Sequence, residues 1–123
     1  MPYAISKDFT FAAAHRIDGH AGPCRHLHGH NYRVRVRLAA DRLDALGMVV
    51  DFADLKAMIE QVAGPFDHRV INDVPPFDQL PTTAEQLAEH VYRGIAERLD
   101  DPRVRLERVE VWENDTSCAI YSE

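Results

Sequence analysis

The chain has 123 residues, the length of one domain, and its 46% hydrophobic and 28% charged residues are ordinary globular proportions. A formal net charge of −6 argues against a general nucleic-acid or membrane surface, and two cysteines exclude a disulfide framework. No apolar run reaches the ~20 residues of a membrane span, and residues 3–14, with Lys7 and Asp8, do not read as a signal peptide, so a cytoplasmic setting is expected.

Residues 3–15 read as a strand, in which Tyr3, Ile5, Phe9, Phe11 and His15 share one parity and Ser6, Asp8 and Thr10 the other. Gly19, Gly22 and Pro23 make residues 16–27 a loop. A second strand follows, with Tyr32, Val34, Val36 and Leu38 facing one way and Arg33, Arg35 and Arg37 the other. The two strands predict an antiparallel hairpin. His15, His28 and His30 continue the apolar parity of their own strands at its loop end, so they are expected on one half-buried face.

Asp51 is placed to cap a helix whose apolar positions are Phe52, Leu55, Met58, Ile59 and Val62, and Gly64-Pro65 stops it. A proline-rich loop over 65–81 carries Asp67-His68. Thr82-x-x-Glu85 has the form of a capping box opening a second helix, striped by Leu87, Val91, Ile95 and Leu99 and ended by Asp101-Pro102. Val104 and Leu106 share one parity and Val109 and Val111 the other, which predicts a bulge near Glu107-Arg108. A turn over Asn114–Ser117 leads to a last strand at 118–122. The expected fold is α+β with the order ββααββ: one domain over residues 1–123, a mostly antiparallel sheet with two helices on one face.

Three histidine nitrogens without a thiolate suit zinc and leave a fourth position open, as catalytic sites do; iron and nickel also accept imidazole. Cys24, four residues before His28, reads in three ways: a thiolate favoured by Arg25, His26 and a nearby metal, a fourth ligand closing a structural site, or a loop cysteine without a role. Cys118 reads as a small core residue. Asp67-His68 is a candidate acid–base pair or orienting relay. Glu113 shares the parity of Val109 and Val111; it is either a solvated strand end or a half-buried carboxylate whose partners are a ligand's N–H groups. The arginine row reads as a solvated sheet face.

Phe11-Ala-Ala-Ala-His15, Cys24-x3-His28-Gly-His30-Asn31, Gly47-x3-Asp51-Phe52-x2-Leu55, Asp67-His68-x3-Asn72-Asp73, Thr83-Ala-Glu85 and Glu113 occur in that order. Together they resemble the 6-pyruvoyl-tetrahydropterin synthase / 6-carboxytetrahydropterin synthase family over nearly the whole chain. The resemblance implies the tunnelling fold (T-fold) and a homo-oligomer, a hexamer built on trimers, whose sheets close into a barrel lined by the arginine face. It implies Zn2+ on His15, His28 and His30, and Cys24 as the catalytic cysteine. Under it Asp67 and His68 form the relay, Glu113 is the carboxylate anchoring the pterin ring, and Thr83 and Glu85 stand beside the pterin pocket. The implied substrate is 7,8-dihydroneopterin triphosphate, with Arg16 and Arg25 as candidate cations for the triphosphate and no nucleic-acid or membrane partner.

The gap of three residues between Cys24 and His28 resembles the bacterial 6-carboxytetrahydropterin synthase of queuosine biosynthesis, which releases acetaldehyde and triphosphate. A 6-pyruvoyl-tetrahydropterin synthase that eliminates triphosphate is the alternative, and a non-catalytic metal- or pterin-binding module a second one. Phe66 and Arg69 depart from the pattern, standing where the family often has Leu and a second His around Asp-His.

Overall fold

The computed structural model describes residues 1–123. Strands β1 (Tyr3–His15) and β2 (His28–Ala40) pair antiparallel throughout, from Tyr3 opposite Ala40 to His15 opposite His28. The period-2 pattern sorts their faces as expected: Phe11, Ala13, Tyr32, Val34, Val36 and Leu38 are buried and the residues between them are half-buried or exposed, until Ala39 and Ala40 are both buried at the end of β2.

Two helices cover that apolar face. Helix α1 (Phe52–Ala63) starts at Asp51, whose carboxylate accepts the Ala53 N–H at 2.8 Å, and it buries Leu55, Ile59 and Val62. Helix α2 (Ala84–Arg98) buries Leu87, Ala88, Val91, Tyr92 and Ile95. The helices approach closely at Gly94, where a Cβ would lie 2.6 Å from Val62 Cγ1.

Between them a two-residue strand, β3 (Arg69–Val70), pairs parallel with Ala13 and Ala14. Strands β4 (Val104–Asn114) and β5 (Ser117–Tyr121) then extend the sheet antiparallel beyond β2, giving the order β3–β1–β2–β4–β5. The predicted bulge is there: Arg37 faces Arg108 and Leu38 faces Leu106, so Glu107 is the extra residue. No helix is long and apolar enough to cross a membrane.

Four local expectations need correction. The 65–81 segment is not all loop, because it contributes β3; two residues are too few to show periodicity. The cap of α2 is Thr83, whose hydroxyl accepts the Gln86 N–H at 3.2 Å. Thr82 cannot cap, since its buried hydroxyl donates to the Arg16 carbonyl at 2.9 Å. Cys118 is exposed: on the edge strand β5, Ala119 and Tyr121 pack inward and Cys118, opposite Trp112, takes the other face. Finally, the arginine row is paired as well as wetted. Arg35 forks onto Asp8 at 2.7 and 3.0 Å, Arg37 bonds Glu107 at 2.9 Å, and the Arg33 guanidinium lies 4.8 Å from the Trp112 ring centre. On the same face the buried Glu110 carboxylate accepts from Arg108 at 2.9 Å and from the Trp112 indole at 3.1 Å.

Candidate metal centre

Hairpin register builds the centre. His15 faces His28 across the ladder and His30 faces Ala13, so all three rings share the helix side at one end of the sheet. Ring centroids lie 4.6 Å (His15–His28), 5.2 Å (His15–His30) and 5.0 Å (His28–His30) apart, and one ligating nitrogen from each falls within 4.8 Å of the others.

Two of the rings are oriented by main-chain carbonyls. Nδ1–H of His15 donates to the Thr82 carbonyl at 2.8 Å, and Nδ1–H of His28 donates to the His26 carbonyl at 2.7 Å. A carbonyl only accepts, so each Nδ1 carries a proton, which leaves Nε2 as the ring nitrogen available to a metal. Nε2 of His15 and of His30 are buried without a partner. Burial holds both imidazoles below the ordinary value of 6.5, for His15 against the opposing pull of the Thr82 carbonyl. Three imidazoles that each bring one ligating nitrogen together, two of them with a buried unpartnered Nε2, fit a divalent ion and leave room for a further ligand. Behind them Tyr32 stacks on Phe11, and burial, helped by the Glu113 charge, raises its phenol.

Cys24 sits half-buried in a 3-10 turn (Pro23–Arg25), its carbonyl accepting the Ile17 N–H at 2.8 Å, outside the histidine cluster. Glu113 approaches the cluster: its Oε2 is 4.0 Å from His30 Nε2, and the side chain is half-buried. Glu113 and Glu85 also line one cleft of about 320 Å3, walled by Ala84 at the start of α2 and by Ser117–Ile120 of β5. Thr83 caps the helix one residue before Ala84 and does not line that cleft. Arg16 is paired with Asp18 at 3.1 Å.

Asp67 and His68 form a tight unit at the other edge of β1. Asp67 Oδ1 accepts the Ala12 N–H and contacts His68 Nδ1, each at 3.0 Å, and these bonds hold its carboxyl below the usual range. The His68 N–H donates to the Ala12 carbonyl at 2.7 Å, and its φ of 59° is a left-handed conformation uncommon outside glycine. The ring is 82% exposed and borders a shallow depression of about 490 Å3 at the end of the β1–β2 ladder, lined by Ala12, Ala14, Gly29 and Asn31 and also by Ala13 and His30. His68 is not part of the histidine cluster of its own chain. Pattern reading missed the Thr82 carbonyl, because a main-chain acceptor leaves no sequence signal.

Residues 4–123 match the family model described as 6-pyruvoyl tetrahydropterin synthase. The chain belongs to that family. A relative from Haemophilus influenzae, named 6-carboxy-5,6,7,8-tetrahydropterin synthase, is 34% identical over 140 residues, covering 98% of this chain and 99% of the relative. One from Synechocystis with the same name is 39% identical over 125 residues, covering 97% and 92%. The human 6-pyruvoyl tetrahydrobiopterin synthase is 31% identical, covering 95% and 89%. The solved 6-pyruvoyl tetrahydropterin synthase of Caenorhabditis elegans superposes with a TM-score of 0.87 at 28% identity, covering 98% and 95%. The fold is the family's T-fold, with β3 added to the expected ββααββ order.

Proposed function

We propose that this chain is a zinc-dependent carbon–carbon lyase of the cytoplasm. It converts 7,8-dihydroneopterin triphosphate and one water to 6-carboxy-5,6,7,8-tetrahydropterin, with release of acetaldehyde and triphosphate, in queuosine biosynthesis. The observation that carries the reading is the convergence of one ligating nitrogen from each of three histidines, two of them with Nδ1 tied to carbonyls, in a chain matched end to end by relatives named for that synthase.

His15, His28 and His30 hold the zinc, which when bound supplies Lewis acidity toward the oxygens of the substrate side chain. The Cys24 thiolate removes a proton from that side chain. Asp67 orients the His68 ring, which returns the proton. Glu113 and Glu85 accept N–H groups of the pterin in their shared cleft, and Thr83 fixes the helix end beside it. His68 lies outside the histidine cluster of its own chain and its ring is exposed, so in this reading it serves the centre of a neighbouring copy in a homo-oligomer. Neither nucleic acid nor membrane is a partner.

A second reading, elimination of triphosphate to a 6-pyruvoyl product, draws on the human relative's name. The interval of three residues between Cys24 and His28 favours the first. Product analysis after incubation with dihydroneopterin triphosphate decides: acetaldehyde with 6-carboxytetrahydropterin is expected, and a pyruvoyl pterin without acetaldehyde overturns the carboxy reading.

A further inference from the structure

We infer that Asn72 and Thr82 are positioning residues of the metal centre, acting through His15; this rests on the metal reading above. His15 is fully buried, and the only hydrogen bond on its ring runs from Nδ1 to the Thr82 carbonyl at 2.8 Å. The direction of its Nε2 lone pair is therefore set by where that carbonyl stands. Thr82 lies in an irregular segment just before α2, where no ladder or helix fixes the main chain. Its own side chain does so instead: the hydroxyl, on a residue 1% exposed, donates to the Arg16 carbonyl at 2.9 Å.

Arg16 in turn is the first residue past β1, adjacent to His15. There the Asn72 side chain takes the place of a missing neighbouring strand. Its Oδ1 accepts the Arg16 N–H at 3.0 Å and its Nδ2–H donates to the Arg16 carbonyl at 3.0 Å. The Arg16 carbonyl thus receives both Asn72 and Thr82. One closed circuit runs His15 ring, Thr82 carbonyl, Thr82 hydroxyl, Arg16 carbonyl and back along the chain to His15, with Asn72 clamping its only free stretch of backbone. Neither residue has a free polar atom aimed at the histidine cluster; each acts by holding main chain. Outer partners of a metal ligand commonly contribute about 10–100-fold in metal affinity by fixing ring orientation and tautomer.

The test is metal titration of the chelator-stripped full chain, following Zn2+ affinity by competition and site geometry by the Co2+ visible spectrum. Thr82→Val removes the hydroxyl and keeps the shape. Asn72→Asp keeps the acceptor and turns the donor into a second acceptor facing the Arg16 carbonyl. Each variant is expected to weaken Zn2+ binding about 10-fold or more and to alter the Co2+ spectrum, while Thr82→Ser restores both. Val91→Ala, a core truncation on α2, is the control for lost stability alone and is expected to bind as the wild type. Wild-type affinity and spectrum in Thr82→Val and Asn72→Asp overturn the inference, as does equal weakening in Val91→Ala. If Thr82→Val does not fold, Asn72→Asp decides by the same two readouts. A wild-type chain that binds neither ion overturns the metal reading itself, a separate outcome.

Discussion

His15 stands directly opposite His28 in the β1–β2 ladder, and their ring centroids are 4.6 Å apart. One is fully buried and the other half-buried, although both are candidate ligands. The difference separates their mutants. His28→Ala removes a ring at the rim and is expected to cost the metal-free protein less than about 1 kcal/mol. His15→Ala empties a buried site and strands the Thr82 carbonyl, so a loss of roughly 2–4 kcal/mol is expected. Both should abolish stoichiometric zinc. Elemental analysis and urea unfolding of the stripped proteins check the two halves; retention of zinc by either variant counts against the three-nitrogen site.

Cys24 lies in a pinned turn outside the cluster, which favours a base beside the metal over a fourth ligand. Cys24→Ala is accordingly expected to keep its zinc and lose at least about 100-fold in turnover. Metal content measured alongside the rate separates the two roles, since loss of zinc from this variant indicates a closed site in which the thiolate joins the three imidazoles.

If the exposed His68 ring serves the centre of a neighbouring copy, two inactive variants should complement each other. Cys24→Ala and His68→Ala, unfolded together and refolded as mixed oligomers, place an intact Cys24 beside an intact His68 in about a quarter of the sites. Activity at about that fraction of wild type is expected. No recovery in oligomers proven to be mixed would show that Asp67 and His68 act within their own chain.

Much of this is legible because period-2 alternation is unbroken in β1 and β2. Parity alone puts His15, His28 and His30 on one face, and the parity switch between Leu106 and Val109 places a bulge near Glu107-Arg108, which the register narrows to Glu107. What is not legible depends on contacts between distant segments. Thr82 and Thr83 both satisfy cap chemistry, and only the reach of the Arg16 carbonyl decides which is free to cap. The proline-rich segment carries no periodicity, so neither β3 nor the pinning of Asp67 to Ala12 can be read from it. Cys118 reads as core and is not, because an edge strand shows one apolar face to the core and leaves the other open.

Gly94 gives a stability test that does not touch the site. In an open helix Gly→Ala gains about 1 kcal/mol from propensity. Here the new Cβ would lie 2.6 and 2.8 Å from the two Val62 methyls, on a β-branched side chain with little freedom to turn. Overpacking costs about 1–3 kcal/mol, so Gly94→Ala is expected to be destabilising on balance. Adding Val62→Ala should relieve the overlap and give a double mutant less damaged than the sum of the singles. Denaturant midpoints of the four proteins check it, and an additive cycle rules the contact out as the cause.

His90 supplies the pH dependence that does not depend on metal. Its ring packs edge-on against Phe66 and Phe77, at centroid distances of 5.7 and 5.4 Å, and burial holds it below the ordinary 6.5 despite the opposing charge of Glu97. The unfolded chain therefore binds a proton that the folded chain resists. Stability is complete above about pH 6.5 and falls as the pH drops through that value toward the folded one. His15 and His30 shift in the same direction and for the same leading reason, so in chelator-treated protein all three contribute to the acid decline. His90→Phe keeps an aromatic ring in the cluster and removes only its own share. The expected result is a shallower fall of Tm between about pH 6.5 and 5. An unchanged slope would assign the whole acid decline to groups other than His90.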